Sequence, residues 1–177
     1  MGSLHELALK DVFNIPFIKA FADQINISYA CFMRLTLQTD YALRTLMFLA
    51  ANDTVQTIET IARSYAISKN HLMKVAQKLA ADGYIISTRG RGGGLTLARP
   101  ASEINLGAVI RAIEDTGNFV ECFDPATNQC AATPVCGLKH IIAEGVATFL
   151  KHFDQYSVAD LAPNRSNFRA VFGLIDD

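Results

Sequence analysis

From Met33 onward the apolar residues first recur with helical spacing and then alternate. In the stretch MRLTLQTDYALRTLMFLAAN, Thr39 is placed to cap a helix whose apolar face is Ala42, Leu43, Leu46, Met47 and Ala50. After a turn at Asn52–Asp53, Thr57 is placed to cap a short helix, Ile58 to Tyr65. Ala66 and Ile67 make a tight connection. Ser68 then caps a third predicted helix, Lys69 to Ala81, which stops at Gly83. Its predicted buried face is Leu72, Val75, Ala76 and Leu79, and its exposed face is Lys69, Asn70, Met73, Lys74, Gln77 and Lys78. The period then shortens. Tyr84–Arg89 and Leu95–Arg99 flank the turn GRGGG, and Pro100 stops the second run, which predicts a β-hairpin with a glycine-rich tip. Two helices joined by a short turn and followed by a hairpin predict a winged helix-turn-helix.

Helical spacing returns at Leu106–Asp115. Residues Gly117–Gly137 are rich in turn formers. A longer helix is predicted from about Leu138 to Asp154, with Ile142, Val146, Phe149, Leu150 and Phe153 on one stripe. That stripe either packs within its own domain or pairs two subunits. Residues 1–32 form an amphipathic stretch broken at Pro16, with Val12, Phe13, Phe17, Ile18, Phe21 and Ile25 as its apolar members. The expected fold is mainly α with a small β-hairpin wing: a winged helix-turn-helix plus a long dimerisation helix. The expected division is an extension over 1–32, a DNA-binding domain over 33–100, a cysteine loop and dimerisation helix over 101–161, and a tail over 162–177.

Composition narrows the class. The chain has 177 residues, half of them hydrophobic and 19% charged, enough to bury a core without disulfides. No apolar stretch reaches transmembrane length. The start MGSLHELALK lacks the plan of a secretory signal, and Glu6 breaks the myristoylation pattern. A cytoplasmic protein is expected. The net charge of −1 argues against a polyanion partner until it is divided. Residues 33–100 carry nine basic and four acidic side chains, whereas residues 101–177 carry five basic and ten acidic. A basic half joined to an acidic half is the asymmetry of a chain with one face on nucleic acid.

The candidate contacts sit in that basic half. The third helix opens Ser68-Lys69-Asn70-His71 and continues to Lys74, and in a helix-turn-helix this end reaches base edges in the major groove. Asn reads adenine bidentately, and Lys contacts guanine or phosphate. Arg89 and Arg91 stand on the glycine turn, where they suit a narrow minor groove. Arg34 and Arg44 near the first helix are placed for phosphates. The glycine run is no nucleotide loop, since no Lys-Ser/Thr follows it and Leu95 occupies the last glycine position of GxGxxG.

Three of the four cysteines lie close together as Cys122-x7-Cys130-x5-Cys136. In a reducing compartment such a knot points to a metal or redox site. The CxxC pairs usual for zinc are missing. Three thiolates in one irregular loop suit an iron–sulfur cluster with a fourth ligand from elsewhere; three metal-free thiols are the plain alternative. No acid–base or nucleophile constellation accompanies them, so an enzyme is not expected. Cys31 stands apart, and His71 and His152 have no partner at ligand spacing.

At these residues the chain resembles the Rrf-type winged-helix iron–sulfur transcription regulators, and among them the nitric-oxide-sensing repressors most. The resemblance is carried by MRLTLQTDYALR, SKNHLMKVAQKLAADGYI, RGRGGGLTLARP and the three-cysteine loop, from Met33 to about Leu161. It implies that Cys122, Cys130 and Cys136 ligate the cluster, with 4Fe-4S expected ahead of 2Fe-2S, and that Asp40 of the partner subunit is the fourth ligand. A carboxylate is a harder ligand for iron than thiolate and would leave one iron open to nitric oxide. Other family members use a histidine three residues after the last cysteine. Here Lys139 stands there and His140 follows, and the seven-residue gap exceeds the family's usual five. Translation from Met33 would give 145 residues, a length that suits the family, so residues 1–32 are either a misassigned start or an added helix.

The resemblance therefore implies a homodimeric repressor that binds double-stranded operator DNA and releases it when nitric oxide attacks the cluster. Ile142, Val146, Phe149, Leu150 and Phe153 would pair the subunits. The alternative is an iron-responsive regulator of the same family, or a metal-free thiol-redox one.

Overall fold

Helix α1 (Leu37–Ala51) is the pivot of the computed structural model, which describes residues 35–114 and 119–174. All of these fall in the unit Leu35–Asp177; a second unit comprises Met1–Arg34. The amphipathic extension, Cys31, Arg34 and Asp115 thus lie outside the described residues.

Helix α1 begins one turn before the expected cap. Thr36 has extended backbone, and its side-chain oxygen accepts the Thr39 N–H at 3.3 Å. Thr39, three residues into the helix, is fully buried instead. Two threonines three apart compete for the cap, and the one outside the helical turn takes it. From Leu46 to Ala51 the helix is buried nearly all round, so its second half carries no clean amphipathic stripe. The buried Thr45 satisfies its hydroxyl by donating to the Tyr41 carbonyl at 2.7 Å.

Helix α2 (Ile58–Ser64) is capped by Thr57, which accepts the Thr60 N–H at 3.0 Å. The connection to helix α3 (Lys69–Ala81) passes through Ala66 at φ +53°, a left-handed turn residue without glycine. The buried residues of α3 are Leu72, Val75, Ala76 and Leu79, the predicted face. Ser68 occupies its N-cap, but its side chain makes no capping bond. Strands β1 (Ile85–Thr88) and β2 (Gly94–Leu97) pair antiparallel, with Ile85 opposite Leu97 and Thr88 opposite Gly94. Close to the turn, β2 is tied to the entry of α2. Leu95 donates its N–H to the Gln56 carbonyl at 2.7 Å, and Gln56 returns a bond at 3.0 Å. Gly90 sits at φ +99° in the turn, and a Cβ on Gly93 would overlap the Thr88 carbonyl oxygen. The tip therefore requires glycine at both places.

Helix α4 (Leu106–Ile113) is capped by Asn105, which accepts the Ala108 N–H at 3.0 Å. The cysteine loop follows, with 3-10 turns at Glu121–Phe123 and Thr133–Val135. The long helix α5 (Gly137–Phe153) packs back on α4. Arg111 of α4 clamps Asp154 at the end of α5 with two bonds, at 2.6 and 2.7 Å. A 3-10 turn, Val158–Leu161, then lays the fully buried Val158 into the core around α1.

The segment 162–177, expected as a tail, carries helix α6 (Arg165–Val171), capped by Asn164. Phe168 and Phe172 stand four residues apart, one helical turn, and meet Phe48 of α1 with ring centroids 6.3 and 5.7 Å away. Tyr65 completes the cluster, 5.0 Å from Phe172 and 6.0 Å from Phe48. Its hydroxyl is buried without a hydrogen-bond partner, and burial raises its pKa well above the ordinary tyrosine value. Arg165 adds an ion pair to Asp53 at 2.7 Å. The last segment thus joins the core beneath the helix-turn-helix.

Candidate nucleic-acid interface and cysteine loop

The exposed side of α3 and the wing form one polar surface. Ser68, Lys69, Asn70, His71 and Lys74 are all exposed, as are Arg89 and Arg91 on the wing turn. Burial of Leu72, Val75, Ala76 and Leu79 fixes the rotation of α3, so Lys69, Asn70, His71 and Lys74 in its first turn and a half face outward. A shallow groove of about 260 Å³ separates this helix from the wing, lined by Thr57, Glu59, Lys69, Thr88, Gly90 and Gly93.

Two of the expected cations are already engaged. Lys69 pairs with Glu59 of α2. The hydrogen bond from Lys69, helped by its charge, holds the Glu59 carboxyl below the usual glutamate range. Arg44, expected on phosphates, instead grips Asp40 through two bonds, Nε to Oδ1 at 2.9 Å and a second guanidinium nitrogen to Oδ2 at 2.8 Å. Its guanidinium also lies over the Tyr65 ring, 5.8 Å from the centroid. The Asp–Arg spacing of four residues was the available sequence signal for this pair. No sequence signal joins Glu59 to Lys69, ten residues apart on different helices.

Asp40 is half-buried in the first turn of α1. The same end of α1 is tied to the start of the cysteine-loop half, because the Thr36 N–H donates to the carboxylate of Glu114 at the C-cap of α4. A displacement of α4 would thus reach the helix that carries Asp40.

The thiols of Cys122, Cys130 and Cys136 are free; Cys130 is exposed and the other two are half-buried. Cys136 stands at the N-cap of α5. Local polar bonds shape the loop. Asp124 accepts from the Ala126 N–H at 2.9 Å and the Thr127 hydroxyl at 2.8 Å, which lowers its pKa. The carboxylate of Glu121 accepts the Gln129 N–H, and Asn128 accepts the Cys130 N–H at 3.1 Å. Among the described residues no three His, Cys, Asp or Glu side chains stand close enough to hold a metal ion. Thiolate sulfur is the ordinary donor to an iron–sulfur centre, so the three cysteines fit one in type.

Of the predicted pairing stripe on α5, Leu150 is buried within its own chain, and Ile142, Val146 and Phe153 are half-buried. Phe149 stays exposed and belongs to an outward row with Leu138 and Ile141, which are 62% and 67% exposed. His140 and His152 are exposed. No helix among the described residues is long and apolar enough to cross a membrane.

Residues 35–164 match the Rrf2 family, whose description is iron-dependent transcriptional regulator. The chain belongs to the Rrf2 family. Rrf2 relatives include the HTH-type transcriptional regulator NsrR of Bacillus subtilis, 47% identical over 144 residues, covering 80% of this chain and 99% of that protein. NsrR of Oceanobacillus iheyensis is 42% identical over 144 residues, covering 80% and 98%. Among solved structures, the oxidized form of Staphylococcus aureus CymR matches with a TM-score of 0.57 at 26% identity, covering 73% of this chain and 96% of that one. T. potens IscR matches with a TM-score of 0.61 at 20% identity, covering 80% and 94%, a likeness of fold. This Rrf2 chain is a DNA-binding transcriptional regulator with a winged helix-turn-helix, and not an enzyme.

Proposed function

We propose that the protein is a homodimeric repressor whose cysteine loop holds an iron–sulfur cluster that senses nitric oxide. The observation that carries this reading is the set of three free thiols on the loop between α4 and α5, in a chain 47% identical to a regulator named NsrR. Cys122, Cys130 and Cys136 would hold the cluster, with Asp40 of the partner subunit as the fourth ligand. When bound, the cluster would supply an iron site that nitric oxide attacks.

The chain's own residues do the rest. The first turn of α3, from Ser68 to Lys74, meets the major groove, and Arg89 and Arg91 meet the flanking minor groove. The outward row Leu138, Ile141 and Phe149 pairs two α5 helices and so sets the spacing of the two reading heads. Arg44 orients the Asp40 carboxylate, and Glu114 joins the cysteine-loop half to that helix. Losing the link between Asp40 and the partner's loop changes the spacing of the heads, which biases a two-state dimer away from the operator.

One observation favours a second reading. Cys130 is exposed, as suits a metal-free thiol switch. The absorption spectrum of anaerobically purified protein separates the two. Visible iron–sulfur bands that vanish in Cys130→Ala support the cluster; a colourless protein that still loses DNA on mild oxidation supports the thiol switch.

A further inference from the structure

Lys69 on the basic reading surface carries its own counter-charge in the exposed carboxylate of Glu59. Lys69 is the first residue of α3, and Glu59 is the second residue of α2. Both line the groove between the helix-turn-helix and the wing, beside Thr88 and Gly90. Both are more than half exposed, at 54% and 66% of their side-chain surface, so the pair is not a buried structural tie. An exposed pair of this kind adds little to folding. What it does set is the charge that the reading surface offers to DNA.

We propose that Glu59 is a specificity-determining residue that holds Lys69 away from DNA phosphates on non-cognate sequence. Non-specific binding is almost wholly a matter of phosphate neutralisation and counterion release. While Glu59 holds Lys69, the surface presents one cation fewer to the backbone, and each phosphate oxygen near the groove meets a carboxylate as well. On the operator, contacts from Asn70, His71 and the wing arginines draw the head close enough for Lys69 to exchange Glu59 for a phosphate or a guanine edge. The pair therefore lowers affinity for random DNA more than for operator, and widens the ratio between them. This inference rests on the reading that α3 and the wing face DNA.

The test uses the full-length protein and measures affinity for operator and for random duplex across a salt series. Glu59→Gln keeps the shape and removes the charge. The expected result is several-fold tighter binding to random duplex, a smaller gain on operator, and a salt slope on random duplex steeper by about one phosphate's worth of counterion release, roughly 0.9 per subunit. Glu59→Asp should restore most of the original ratio. In a Lys69→Met background, Glu59→Gln should no longer steepen the slope. If Lys69→Met weakens operator binding while Glu59→Gln leaves slope and ratio unchanged, Glu59 has no such role. If Lys69→Met leaves operator binding intact, the assignment of this face to DNA fails instead.

Discussion

The helix-turn-helix half and the cysteine-loop half bury their apolar residues in very different ways. In residues 35–100, Leu46, Phe48, Ile61, Leu72, Leu79 and Leu95 are sealed within the chain. In the loop and α5, only Leu150 among the apolar stripe is buried, while Val135, Leu138 and Ile141 stand in solvent. An exposed apolar row of this kind marks an interaction surface. The first half is finished by one chain. The second presents free thiols and an exposed apolar row, to which the proposed function assigns a cluster and a second subunit.

The largest expected effect separates folding from sensing. Phe48→Ala removes the ring that joins Tyr65, Phe168 and Phe172, and is expected to cost about 3–5 kcal/mol of stability. Cys130→Ala, on an exposed loop residue, is expected to stay within about 0.5 kcal/mol of the parent when both are cluster-free. Urea unfolding of both variants checks the contrast, and equal losses would erase it.

A second variant acts on assembly alone. Ile141→Asp puts a charge in the outward row of α5 and is expected to turn a dimer into a monomer with unchanged circular dichroism. Sedimentation velocity reads the outcome; a dimer that persists would place the interface elsewhere.

The smallest effect concerns the clamp between α4 and α5. Hydrogen bonds from Arg111 hold the Asp154 carboxyl below the ordinary aspartate value of 3.8. A depressed carboxylate stabilises the fold above its unfolded pKa, and that contribution is lost as pH falls through the folded one. The stability gap between the parent and Asp154→Asn should therefore be full at neutral pH and close on acidification below about 3.8. A gap that widens in acid would contradict the pairing.

The same division decides how much was legible in the sequence. Periodicity identified the buried face of α3, Leu72, Val75, Ala76 and Leu79, because that helix lies on the core with one side in water. It failed in the second half of α1, where burial all round leaves no stripe and Phe48 and Leu49 join the core beyond the predicted face. It also passed over α6, since seven residues give little period. The signal there was Asn164 as a cap and two phenylalanines one turn apart. In the candidate interface, residue types announced Asn70, Lys74 and the wing arginines. They could not show that Lys69 is held by Glu59 or Arg44 by Asp40, because pairing depends on how helices are placed. The cysteine spacing indicated a shared chemistry, but an irregular loop has no period from which its shape could be read.

In the proposed function the cysteine loop reports nitric oxide to the reading heads. The most direct measurement titrates anaerobically purified protein, bound to operator DNA, with nitric oxide and in parallel with an iron chelator. DNA is expected to be released at near-stoichiometric nitric oxide, together with loss of the visible iron–sulfur bands. Release by the chelator alone, with DNA still bound after stoichiometric nitric oxide, would contradict that function.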